Sequence, residues 1–332
     1  MKTPPRLLPD LPTLRKRLTE GLFSAWGNGR PLRILSRRVP PYMSTFPNEI
    51  VTCQLAGGGK RRVFIKYDAG QSHQAFGHRG TIAYEAEVYQ RVLQTWARFR
   101  PKCLGAHTDA RTREVALFLE YADRCAPLSE ASWKQRTCLP GPMVQTARWL
   151  AHFHAHHEPR VGQPALAFLK AYDAAYYRSW AQRTFKFARP LQTRFPWLAE
   201  LRTCGDAWFA PLLSAAPTVI HGEFFAKTVL VRNEILFALD WESTAIAAGE
   251  IDLVTLTDGE GWPATVVRQC EANYQRARWP NGAPVGFKRM LAAARIYQQF
   301  RWLGDRSEKT LREKTLWRFE HLRDAAKNLG LL

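Results

Sequence analysis

The sequence has no paired cysteine spacing, no long apolar run, and too few acids to balance its bases. Its six cysteines, at 53, 103, 125, 138, 204 and 270, include no C-x-x-C pair. Neither a disulfide framework nor a zinc cage is therefore expected, and reduced thiols in a cytoplasmic setting are. No stretch approaches the roughly 20 apolar residues that a membrane-spanning helix needs. The opening MKTPPRLLPDLPTLRKRL is broken by prolines and charges and lacks an apolar core, so no signal peptide is expected. Internal repeats and low-complexity tracts are also missing. Acids number 29 against 48 Lys and Arg, a formal net charge of +19. Such a field attracts phosphates, nucleic acid or an anionic membrane whatever the fold.

What is present is ample core: 332 residues, 46% of them hydrophobic, enough for one large domain or two lobes. The most informative stretch is 219–253. Val219-Ile220 leads through a His-Gly turn to Glu223, and a short apolar strand follows at 229–231. After a polar turn at 232–234, a second apolar strand, 235–239, ends on Asp240-Trp241-Glu242. A carboxylate directly after five apolar residues is costly if buried, unless it is paired or binds metal. The pattern suggests a hairpin built to hold two acids, Glu223 and Asp240, near one point.

These residues resemble a family. His221-Gly222-Glu223 with Thr228 five residues on, then Asp240-Trp241-Glu242 and Gly249-Glu250-Ile251-Asp252-Leu253, resemble the aminoglycoside phosphotransferase and choline kinase superfamily. The resemblance implies a protein-kinase-like fold, bound ATP and Mg²⁺, and phosphoryl transfer to a small-molecule hydroxyl. Family members usually carry His-Gly-Asp, four residues, then Asn; here Glu223 replaces the Asp and Thr228 the Asn. By resemblance, Glu223 would orient or deprotonate the acceptor, Asp240 would bind Mg²⁺, and Thr228 would be a weaker second metal ligand. On the same footing His221 would brace the loop, and Asp252 would anchor the segment after Asp240.

The remaining expectations follow chain order. A helix is expected over 11–26 and strands over 31–35 and 49–55. The connection 37–47 falls where kinase-like proteins cover the ATP phosphates. It has no glycine, so Ser44 and Thr45 are its candidate phosphate contacts. Gly57-Gly58-Gly59 suits a hairpin tip. In the strand 62–67, period-2 alternation places Phe64 and Lys66 on one face. Lys66 resembles the ATP-binding lysine, with Glu85 on a helix over 81–96 as its partner and Glu87 as the alternative. The strand 114–121 matches a hinge, with Glu120 and Tyr121 offering backbone groups to the adenine. His152, His154, His156 and His157 lie on a helix over 143–157 and suit packing better than metal. Aromatics interleaved with arginine over 165–210 shape an acceptor pocket, bind nucleic acid by stacking, or form a helix pair with a solvated basic face.

Together these give an α+β, two-lobed, protein-kinase-like fold. Residues 1–121 would form the small β-rich nucleotide-binding lobe and 122–332 the larger helical lobe that carries the catalytic loop and acceptor site. The expected activity is an ATP- and Mg²⁺-dependent small-molecule kinase whose acceptor is neutral or anionic rather than a polycation. The alternative is a catalytically degenerate relative that binds nucleotide, a phosphorylated ligand, or nucleic acid or another polyanion.

Overall fold

The computed structural model describes residues 8–22, 31–40, 46–55, 58–68, 76, 79–130, 141–258 and 262–332. The chain forms two compact units. One contains Met1–Ala126 and Leu230–Ser243, the other Pro127–Val229 and Thr244–Leu332. The architecture is α+β, with a β-rich N-terminal region and a helical C-terminal region. Among the described residues, no helix is long and apolar enough to cross a membrane.

The first unit is built on an antiparallel sheet of β1 (Pro31–Arg38), β2 (Asn48–Leu55), β3 (Lys60–Tyr67), β4 (Cys103–Thr108) and β5 (Val115–Glu120). Their spatial order is β1-β2-β3-β5-β4. Alternation along β3 sends Val63, Ile65 and Tyr67 into a core with Leu14 and Leu18 of the helix Leu11–Gly21. Lys66 is thereby left for the other face. The helix starts at Asp10, whose carboxylate accepts from the Thr13 amide, with Pro12 in the first turn. It stops at Gly21, where Leu22 turns extended and bridges to Gly105; residues 23–26 of the expected span lie outside the described residues.

Sequence alternation did not reveal β4, which contains Gly105 at φ +144° and a register shift beside it. A Cβ at Gly105 would lie 2.0 Å from the Gly21 carbonyl oxygen, so the close helix–strand approach requires glycine. The helix expected over 81–96 is capped by Thr81 and runs as Ile82–Glu87. It then widens to a π turn, Val88–Val92, and tightens to Leu93–Thr95.

In the second unit, the helix Phe287–Leu303 is buried along most of its length, with Ala293, Ala294, Ile296, Tyr297 and Phe300 wholly inaccessible. A helix buried on nearly every side belongs at a core's centre. It packs against Ala174–Phe187, Glu250–Leu256 and Trp317–Leu329, while Pro142–His157 packs on Ala264–Arg278. Short strands complete the chain: β6 (Ala126–Pro127), β7 (Lys170–Ala171), β8 (Pro217–Ile220), β9 (Val229–Arg232), β10 (Ile235–Ala238) and β11 (Ala245–Ala248). They pair as β10-β9-β6 and β7-β11-β8.

Candidate functional site

Lys66 sits on β3 between Asn48 of β2 and Leu117 of β5. Its ammonium donates to Glu85 Oε2 at 2.7 Å, Asp240 Oδ1 at 2.9 Å and Glu242 Oε2 at 3.3 Å. Glu85 arrives from the helix Ile82–Glu87, whereas Glu87 pairs with Arg91. The second oxygen of Glu85 accepts from the Trp241 amide at 3.1 Å, tying helix to Asp-Trp-Glu turn. The Gly80 amide donates to the Glu242 carbonyl at 2.6 Å. Asp240 has φ +64°, a left-handed conformation that Asp tolerates better than most residues, and it turns the chain sharply after β10.

This cluster carries one ammonium against three carboxylates, with Lys66, Glu85 and Glu242 nearly inaccessible and Asp240 41% exposed. Burial by itself disfavours the ammonium, yet Asp240, Glu242 and Glu85 outweigh it and hold the Lys66 pKa well above its ordinary value. Burial is also the largest influence on Glu85. Lys66 pulls its pKa down, but Glu242 and Asp240 add to the rise, which reaches about 7. The ligand atoms of Glu85, Asp240 and Glu242 lie within 4.8 Å of one another, the one such metal-ligating group among the described residues. An all-oxygen set open at one carboxylate fits a hard divalent cation such as Mg²⁺ rather than zinc or copper.

The His221-Gly222-Glu223 sequence lies in the second unit. The expected hairpin, β9–β10, delivers Asp240 alone. Glu223 instead follows β8, which pairs with β11 (Ile220 opposite Ala245). Gly222 takes φ +80°. Asp252 holds this turn, accepting from the His221 amide at 2.6 Å and the Gly222 amide at 2.9 Å. Its carboxylate therefore anchors the loop before Glu223, not the segment after Asp240, because the helix Glu250–Leu256 aims it at those two amides.

Behind Asp252, His154 meets its Oδ2 at 3.3 Å and the Tyr274 hydroxyl at 2.8 Å. Burial lowers the His154 pKa despite the opposing pull of Asp252. His221 Nδ1 accepts from the Glu223 amide at 3.2 Å, so this histidine is part of the loop's frame.

The Glu223 carboxylate accepts from the buried guanidinium of Arg301, on the helix Phe287–Leu303. No local pattern in the sequence points to this partner. Thr228 Oγ1 directs its proton at loop carbonyls, 2.9 Å from Phe225 O and 3.2 Å from Glu223 O. Phe224 stacks on Trp149, and both rings lie in the second unit.

The other expected contacts are placed as follows. Ser44 and Thr45 lie outside the described residues. The Glu120 amide donates to the Lys102 carbonyl, and the Glu120 carboxylate accepts from Arg100 and the Lys102 amide. The Tyr121 carbonyl accepts from the Asp123 amide, and Arg62 lies over the Tyr121 ring. His154 and His157 are buried in packing. Tyr172, Tyr177 and Trp180 are buried as well, so these three present no face for stacking nucleic-acid bases.

No protein-family model matches the sequence, and no curated protein matches it. Solved structures do. A choline kinase from Streptococcus pneumoniae is 13% identical, with 93% of this chain and 96% of that one covered and a TM-score of 0.55. A choline kinase from Cryptosporidium parvum is 13% identical over 97% and 96%, with a TM-score of 0.57. The GDP complex of an aminoglycoside 2'-phosphotransferase is 13% identical over 90% and 94%, with a TM-score of 0.53. The chain has the kinase-like fold shared by choline kinases and aminoglycoside phosphotransferases.

Proposed function

We propose that this protein is a phosphotransferase that moves the γ-phosphoryl group of ATP to a hydroxyl of a small neutral or anionic molecule. The observation that carries this reading is the buried Lys66 ammonium gripped by Glu85, Asp240 and Glu242. In phosphoryl transfer the protein has little covalent work; it positions the reactants and neutralises charge. Lys66 binds the α- and β-phosphate oxygens, and Glu85 fixes the direction of its ammonium. Asp240 and Glu242 are the residues that would hold Mg²⁺, which when bound offsets phosphate charge. Glu223 orients the acceptor hydroxyl and takes its proton as the new oxygen–phosphorus bond forms and the bond from the γ-phosphorus to the β–γ bridging oxygen breaks, releasing ADP. Thr228 would offer the metal a neutral oxygen in place of Asn. The described cysteines are free thiols, which suits a cytoplasmic location.

Thermal denaturation with ATP–Mg²⁺ tests the nucleotide half. A ligand binding only the folded state at a hundredfold excess over Kd stabilises by about 2.7 kcal/mol. The shift is expected in the wild type and lost in Asp240→Ala; no shift at millimolar ATP–Mg²⁺ overturns the proposal. GTP is the second nucleotide to test, since one structural neighbour was solved with GDP.

A second reading, nucleotide binding without turnover, is favoured by the paired replacements Glu223 and Thr228 in the His-Gly loop. A nucleotide shift with no phosphate transferred to any of a broad panel of alcohols supports it. Salt-sensitive RNA binding without nucleotide turnover would instead support a polyanion-binding role, because phosphate contacts weaken steeply with added salt.

A further inference from the structure

We propose that Arg301 is a positioning residue for Glu223, and that the longer acid at 223 is there because it must reach this arginine. The inference rests on the phosphotransferase reading and adds a residue to it.

Arg301 is 4% exposed and comes from a helix that is buried along most of its length. Glu223 is the carboxylate it touches among the described residues, and its Nε, also buried, has no hydrogen-bond partner there. Burial works against its charge, while Glu223 is the largest influence holding it protonated. The tyrosines nearby are neutral phenols, with Tyr176 and Tyr297 sharing a hydrogen bond of 2.8 Å. A guanidinium so placed needs the Glu223 carboxylate, and the carboxylate in turn is held in one direction.

The loop backbone is fixed independently, by Asp252 on the His221 and Gly222 amides. With the Cα position set, only side-chain length decides whether the carboxylate meets the guanidinium. Aspartate is shorter by one carbon–carbon bond, about 1.5 Å. Glu223 and Arg301 thus form one unit, in which the arginine acts on the reaction through the acid.

The test uses the full chain with ATP–Mg²⁺ as donor and water as acceptor, followed by phosphate release. Arg301→Met is expected to lower the rate about tenfold to a hundredfold, as misplacement by roughly 1 Å does. KM for ATP is expected to stay within about twofold, because Lys66 and Asp240 are untouched. In a Glu223→Gln background the same change is expected to cost less than about twofold, the non-additivity of residues acting as a pair. Arg301→Lys, which keeps the charge, should recover part of the rate. Glu223→Asp should behave like Glu223→Gln. If Arg301→Met fails to fold, Glu223→Asp carries the test, since it keeps both charges.

A second measurement needs no turnover. In protein labelled with ¹⁵N-arginine, the Arg301 side-chain N–H signals should be protected from exchange in the wild type and lose protection in Glu223→Gln and Glu223→Asp. Additive rate losses, full activity in Glu223→Asp, or unchanged protection in that variant overturns the proposal. If the wild type binds no nucleotide and releases no phosphate, the phosphotransferase reading fails. The arginine signals then decide the pairing alone.

Discussion

At the scale of single residues, the one ammonium among three carboxylates gives an asymmetric expectation. Removing Lys66 takes a shared cation away from all three acids, whereas removing the charge of Glu85 leaves Lys66 its other two carboxylates. Breaking a buried ion pair from one side costs about 3–5 kcal/mol. Lys66→Met should therefore lose that much stability in urea denaturation with a chelator present, and Glu85→Gln clearly less; equal losses would contradict the charge argument. His154 supplies a pH test. Its folded-state pKa is lowered from an ordinary value of 6.5, so the unfolded chain binds its proton first. The stability due to the neutral imidazole is complete above pH 6.5 and declines as pH falls below it. Glu85, raised from 4.5 to about 7, works the other way, favouring the folded state at lower pH across that window. The His154 contribution is thus read as wild type minus His154→Gln, and that difference should grow from pH 5.5 to 7.5. Lys66, Glu85 and Asp240 were legible in the sequence because each carries a local signature: a lysine closing an apolar strand, a glutamate in line with a helix's apolar face, an acid ending a strand. Arg301 was not legible. Its partner is 78 residues away, and one arginine stands out poorly among 48 basic residues.

Strands and helices were legible where periodicity was clean. β2, β3 and β5, and the helices at 82–95 and 142–157, fall close to their expected places. Local pattern is a poor guide where pairing at a distance overrides it. Val219-Ile220 was grouped with the following hairpin by proximity in sequence, yet it pairs with β11. β4 escaped notice because Gly105 interrupts its pattern, although that glycine admits the end of the first helix. Gly105→Ala would press a methyl group into backbone rather than a movable side chain, and overpacking of that kind costs about 1–3 kcal/mol. Gly58, with φ +80° and nothing within 4 Å of a new Cβ, meets only backbone strain. Urea denaturation of both alanine variants should show the larger loss at Gly105; the reverse order would mean that the helix end yields easily.

For the whole molecule, charge is the dominant bulk property. A pocket for a polycation needs carboxylates and a negative field to steer the ligand in, and this chain has an excess of 19 positive charges. Among alcohols offered with ATP–Mg²⁺, kanamycin should be a poor acceptor beside glycerol or glycerate. Efficient phosphorylation of kanamycin would require a local acidic pocket and refute the expectation. The division of the chain carries a temporal consequence. The first unit is assembled from Met1–Ala126 and from Leu230–Ser243. A ribosome that has finished the five-stranded sheet must still make more than a hundred residues before Asp240 and Glu242 emerge. At about 5–20 residues per second, that delay is on the order of ten seconds. During it, Lys66 and Glu85 face each other without the Asp-Trp-Glu turn that completes their surroundings. The first unit of the nascent chain should therefore remain sensitive to protease until translation passes residue 243 and clears the exit tunnel.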